Sequence, residues 1–112
     1  NPLGLAYLHV VEGATGGPRD NEPFDYAALR DRFDGVWMVN NGYDRAMALE
    51  AVASGRADLV SFGRAFIANP DLVRRLREDA PLNELLGRDT LYGGGAHGYI
   101  DYPTLDAIPA IA

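Results

Sequence analysis

With 112 residues, 47 % of them apolar, the chain has material for one small packed domain. Its net charge is −6, every basic residue is arginine, and no basic patch offers a footprint for nucleic acid or an anionic membrane surface. The absence of cysteine excludes disulfide frameworks and thiolate metal sites and fits a cytoplasmic setting, and no apolar run reaches the ~18–20 residues of a membrane span.

The first apolar stretch, Leu3 to Val11, follows Asn1-Pro2 rather than a basic segment, so it does not read as a secretory leader. Within it, Leu5 to Val11 is a short bulky run expected to form a strand buried on both faces. A chain that opens almost directly on such a strand reads as a piece of something longer. Gly13 to Pro23 is rich in Gly, Pro, Asn and Asp and predicts a loop. Asp25 is then the cap of a helix from Tyr26 to Phe33, with apolar positions at Tyr26, Leu29 and Phe33.

The pattern repeats. Asp34-Gly35 ends the helix, Val36 to Val39 is a second buried strand, and Asn40-Asn41-Gly42 is a turn. Asp44 caps a helix from Arg45 to Ser54, stopped by Gly55. Leu59 to Phe62 is the third strand, Gly63-Arg64 the next turn, and Ala65 to Ala68 a short helical segment. Asn69-Pro70-Asp71 opens a helix with proline at an early position, running to about Glu78. Strands alternating with helices imply an α/β fold with parallel strands and right-handed crossovers. Beyond Pro81 the pattern changes. Leu82 to Leu86 predicts one helical turn. Four glycines and three tyrosines between Tyr92 and Tyr102 predict a shaped loop, and Ile108 to Ala112 an unpatterned end.

In parallel α/β folds, ligands bind at the carboxyl ends of the strands, and barrels often hold a phosphate in the loops after their last two strands. Here those loops carry Asn41-Gly42 and Gly63-Arg64. Glycine lets the backbone approach an anion closely. Backbone N–H groups at a helix start favour negative charge, and arginine adds a permanent, forked cation. Each glycine alone could be an ordinary turn residue, and Arg64 could pair with a surface carboxylate. Two such turns on successive units favour a phosphate site.

Three runs carry a resemblance: Ala6-Tyr7-Leu8-His9-Val10-Val11-Glu12, Ser61-Phe62-Gly63-Arg64 through Asn69-Pro70-Asp71-Leu72, and Tyr92-Gly93-Gly94-Gly95-Ala96-His97-Gly98-Tyr99-Ile100-Asp101-Tyr102-Pro103-Thr104. In order and spacing they resemble the C-terminal part of the Old Yellow Enzyme family of FMN-dependent ene-reductases. The resemblance implies a TIM (β/α)8 barrel in which residues 1–112 supply strands six to eight and a C-terminal loop. It implies non-covalent FMN reduced by NADPH or NADH, and hydride transfer to activated alkenes such as enones, maleimides and nitroalkenes. Asn41, Gly42, Gly63 and Arg64 fall where the family holds the FMN phosphate, and Tyr92 falls at the substrate cavity. Leu91 stands where relatives often have phenylalanine. The loop from Glu12 to Pro23 falls where a variable loop overhangs the active site.

The family's substrate-oxygen donors and proton-donating tyrosine belong to the earlier barrel, so no catalytic residue is expected in this chain. His9 is expected to be a hydrogen-bonded core residue. His97, Tyr99, Asp101 and Tyr102 are expected to brace the loop. The implied partners are a second chain carrying the first five units, or further copies of this one, and a small alkene substrate. Two other readings of the residues are a different phosphate-binding barrel enzyme, such as an isomerase or aldolase, and a half-barrel that binds a nucleotide or partner without chemistry. Three parallel strands with two open edges and an uncovered apolar face predict a chain prone to aggregate alone.

Overall fold

The computed structural model describes residues 1–14, 17–18 and 24–107, and the predicted alternation is present in it. In chain order the elements are β1 (Tyr7–Val11), α1 (Tyr26–Asp31), β2 (Val36–Asn40), α2 (Arg45–Ala53), β3 (Leu59–Val60), α3 (Arg64–Ala68) and α4 (Leu72–Glu78), followed by a 3-10 turn at Arg88–Thr90. They fall into two compact units, Asn1–Phe62 and Gly63–Ala112. The predicted loop at Gly13 to Pro23 lies partly outside the described residues, and the predicted unpatterned end lies outside them.

In the first unit the strands are parallel, in the order β1-β2-β3. Tyr7 pairs with Val36 and Val11 with Asn40, and Met38 and Val39 pair with Leu59 and Val60. The side-chain period of two then sorts the faces. Leu8, Val10, Trp37, Val39 and Val60 point to one side, where they meet Phe33, Met47, Ala48 and Ala51. Tyr7, Val11, Val36 and Leu59 stand on the other side and are exposed. This corrects the expectation of strands buried on both faces and matches the uncovered apolar face expected of three strands alone. Within this unit the helices cover one face only.

Asp25 and Asp44 cap their helices as expected, accepting from the N–H of Ala28 (3.0 Å) and Met47 (2.8 Å). Replacing Asp44 by alanine is expected to cost about 1 kcal/mol, read as a lower urea midpoint, because one first-turn N–H loses its acceptor. At the amino ends of the strands, the Asp58 carboxylate accepts from the Trp37 N–H (2.8 Å) and pairs with Arg30 (3.3 Å). The Trp37 N–H, and then Arg30, hold that carboxyl below its ordinary range.

Some boundaries differ from the sequence expectation. α1 stops at Asp31, and Phe33 instead lays its ring near Trp37, with centroids 6.4 Å apart. β3 has two residues rather than four, although the Ser61 N–H still donates to Val39 (2.9 Å). α4 is preceded by Asp71, so Pro70 lies ahead of the helix rather than in its first turn. The predicted turn at 82–86 does not form. Its N–H groups are claimed by side chains: that of Asn83 by Asn69 Oδ1 (2.7 Å) and that of Leu86 by the Tyr102 hydroxyl (2.8 Å).

The second unit is organised by buried polar groups. Asn69 and Arg75 are buried beside Ala68 and Leu72. Arg75 donates to Asp71 Oδ1 (2.7 Å), the Pro81 carbonyl (2.6 Å) and the Pro103 carbonyl (2.9 Å). Asn83 donates to the carbonyls of Ala68 (2.9 Å) and Pro103 (2.8 Å). The segment around Pro103 is thus fastened to α4 without regular secondary structure of its own.

Candidate functional site

At the exit of β2 the chain turns through two residues of positive φ, Asn41 (96°) and Gly42 (70°). The second suits glycine; the first is a conformation that a side-chain-bearing residue holds only when its surroundings fix it. Asn41 is fixed by its own amide. Its Nδ2 donates to the carbonyls of Glu12 (2.5 Å), Ala14 (3.0 Å) and Gly17 (3.4 Å). The Asn41 N–H is also engaged, by Asn40 Oδ1 (2.5 Å). Gly42 is exposed and makes no hydrogen bond with the described residues.

Two residues behind this turn went unnoticed in the sequence, Glu12 and Tyr43. Both are buried, and the Tyr43 hydroxyl donates to Glu12 Oε1. The Arg56 guanidinium donates to the same hydroxyl (3.4 Å) and pairs with Glu50, whose hydrogen bond leads the effects raising the pKa of Arg56. A glutamate ending an apolar strand and a tyrosine after Asn-Gly carry no local signal of this contact.

His9 is not a core residue. It stands on the open sheet face, where its Nε2 shares a hydrogen bond with Ser61 Oγ (2.8 Å). The hydrogen bond was expected; the exposure follows from the uncovered face.

In the second unit, Gly63 precedes α3. Its φ is −93°, and a Cβ built there meets nothing within 4 Å. Neither backbone conformation nor crowding within the chain accounts for glycine at this position. Arg64 opens α3 and is exposed, with no ion pair or hydrogen bond to a described residue. Its backbone N–H and that of Ala65 have no acceptor among the described residues. A cation in the first turn opposes the helix dipole. Arg32, Arg77 and Arg88 are also unpaired among the described residues, but Arg32 and Arg77 stand at helix carboxyl ends, where a cation is favoured, and Arg88 opens only the 3-10 turn.

The glycine-rich segment is braced only in part. His97 Nδ1 lies 3.0 Å from Asp101 Oδ2, and the Gly98 N–H donates to Asp101 Oδ1 (2.7 Å). Gly98, and then His97, keep the Asp101 carboxyl below its ordinary range. Tyr102 braces Leu86, as expected. Tyr99 departs from the expectation: its ring is exposed and its hydroxyl holds no described residue. Tyr92 is 94 % exposed, and Leu91 is half-buried. Among the described residues no group of three or more His, Asp or Glu could hold a metal ion, and no helix is long and apolar enough to cross a membrane.

Parallel β/α units of this kind define an α/β protein whose ligands are met at the carboxyl ends of the strands. Residues 3–83 match the model of one family, and the chain belongs to it: the NADH:flavin oxidoreductase / NADH oxidase family, in which FMN is the cofactor. It is 42 % identical over 111 residues to 12-oxophytodienoate reductase 7 of Oryza sativa subsp. japonica, covering 90 % of this chain and 28 % of that protein. With 12-oxophytodienoate reductase 2 of Arabidopsis thaliana it shares 40 % identity over 115 residues, covering 96 % of this chain and 29 % of the relative. Among solved structures, the old yellow enzyme from Trypanosoma cruzi superposes with a TM-score of 0.82 at 42 % identity, over 94 % of this chain and 27 % of that one. The chain therefore spans under a third of the length of these relatives, and its β/α units correspond to part of their TIM-barrel fold.

Proposed function

We propose that the chain is the C-terminal portion of a single (β/α)8 flavin domain, carrying strands six to eight, and that its task is to hold FMN by the phosphate. Gly42 would offer its backbone N–H from a turn that Asn41 shapes. Gly63 would admit the phosphate close to the backbone, and Arg64 would neutralise it. The observation that carries this is the Gly63-Arg64 pair. Nothing among the described residues requires the glycine, and the cation has no partner among them at a helix end that disfavours it. A dianion from outside accounts for both. The donors present are N–H groups and a guanidinium, the chemistry a phosphate needs.

When bound, FMN supplies hydride transfer from NADPH or NADH to an activated carbon–carbon double bond, as in enones, maleimides and nitroalkenes. Tyr92 is proposed to border the substrate cavity, in keeping with its exposure. The groups that polarise the substrate and deliver the proton would belong to the first five units of the barrel, carried by a partner chain; self-association of copies is a second way to cover the open sheet face. The exposed sheet face of β1, β2 and β3 supports such a partner, since an apolar sheet face left in water favours association.

The test is reconstitution. Mixed with a chain carrying the first five units, the protein is expected to give a yellow complex that oxidises NADPH in the presence of cyclohexenone. A colourless complex that takes up no FMN would overturn the proposal. Within it, Arg64→Ala is expected to weaken FMN binding by roughly tenfold, the worth of one charge-assisted contact. Riboflavin, which lacks the phosphate, serves as the control and should bind the variant as it binds the parent.

A further inference from the structure

Three attachments of Glu12 run to the turn at the exit of β2. Its N–H donates to the Asn40 carbonyl (3.1 Å), its carbonyl accepts from Asn41 Nδ2 (2.5 Å), and its carboxylate accepts from the Tyr43 hydroxyl. Three of the four residues from Asn40 to Tyr43 are therefore tied to one residue. The fourth, Gly42, faces solvent. Glu12 is 7 % exposed, so its carboxylate is a fixed anchor rather than a surface charge. The Tyr43 hydroxyl meets that charge, and the Arg56 guanidinium stands 3.4 Å behind the hydroxyl. An acidic group can thus lie next to a turn that receives an anion.

We infer that Glu12 is a positioning residue for anion recognition: through Asn41 and Tyr43 it holds the turn in the shape that presents the Gly42 N–H outward, without touching the ligand. This builds on the phosphate role proposed above for Asn41 and Gly42. The second tether, through Tyr43, acts from the far side of the turn, so both flanks of Gly42 are held. Loss of either flank frees Asn41 to relax from its φ of 96° toward ordinary backbone, turning the Gly42 amide away.

The experiment measures FMN and riboflavin affinity of the full chain, with any copurifying partner retained, by quenching of flavin fluorescence. In parallel, the NMR signal of the Gly42 amide is followed. The parent chain is expected to prefer FMN by roughly tenfold. Tyr43→Phe and Glu12→Ala are each expected to erase most of that preference and to shift the Gly42 signal, leaving riboflavin affinity unchanged. Glu12→Gln keeps an acceptor for the Tyr43 hydroxyl and should retain the preference. If Glu12→Ala does not fold, Tyr43→Phe interrogates the same contact by removing a single oxygen. Equal losses for FMN and riboflavin, or an undiminished preference in Tyr43→Phe, would overturn the role of Glu12 and leave the phosphate role of the turn standing. A parent chain that binds FMN no better than riboflavin would overturn both.

Discussion

Trp37→Ala is expected to unfold the first unit at denaturant concentrations the parent withstands, at a cost of about 3–5 kcal/mol. Trp37 is 2 % exposed and is the largest fully buried side chain of the protein's described residues. It packs with Val39, Tyr43, Ala51 and Ala57, with Phe33 beside it and the Arg30 guanidinium 6.0 Å from its ring. A whole small domain has only about 5–15 kcal/mol of stability to lose. The first unit has helices on one sheet face only, so its reserve is smaller. Urea titration followed by far-ultraviolet circular dichroism checks the effect, with Trp37→Phe as the intermediate case. A loss below about 1 kcal/mol would show that the core is centred elsewhere.

Arg75→Ala is expected to have a comparable effect in the second unit, about 3–5 kcal/mol, for a different reason. The guanidinium is buried and feeds one carboxylate and two carbonyls. Removing it leaves the carbonyls of Pro81 and Pro103 without this donor and Asp71 without its cation. Arg75→Lys should recover only part of the loss, because an ammonium cannot reproduce the fork. Hydrogen exchange at the Leu105 N–H, which donates to Asp71 Oδ2 (2.8 Å), gives a local measure of the release. The same pair predicts a pH dependence. The Leu105 N–H, and then Arg75, hold the Asp71 carboxyl below the usual carboxylate range. Its contribution is therefore complete above the unfolded value of about 4 and fades as the pH falls through the lower folded value. In Arg75→Ala this acid dependence should shrink but persist, because the Leu105 N–H remains.

Local chemistry made much of the fold legible. Asp25 and Asp44 announced their helices because capping is decided within four residues, and the strands announced themselves as apolar runs between turn residues. What the sequence left hidden depends on contacts far apart in the chain. Asn83 and Leu86 lie in a segment with helical composition, but Asn69 and Tyr102, distant in sequence, take their N–H groups. The open sheet face was legible from the count of strands, although an apolar run by itself does not say which of its two sides is covered. At the candidate site, Gly42 and Gly63 were visible because each stands in a short turn directly after an apolar run, although only Gly42 has the positive φ that favours glycine. Glu12 and Tyr43 were not, because a buried carboxylate–hydroxyl contact leaves no periodic trace.

The two edges of the sheet are unequal, and this gives its assembly a polarity. β1 offers five residues of backbone to an arriving strand, whereas β3 has only two in its ladder. In the proposed barrel both edges must meet a neighbouring strand, and the β1 edge, with more backbone already in strand conformation, would gain more hydrogen bonds from its neighbour than the β3 edge. An unequal pair of edges turns an open sheet into a template with a leading end, for correct docking and for misassociation alike.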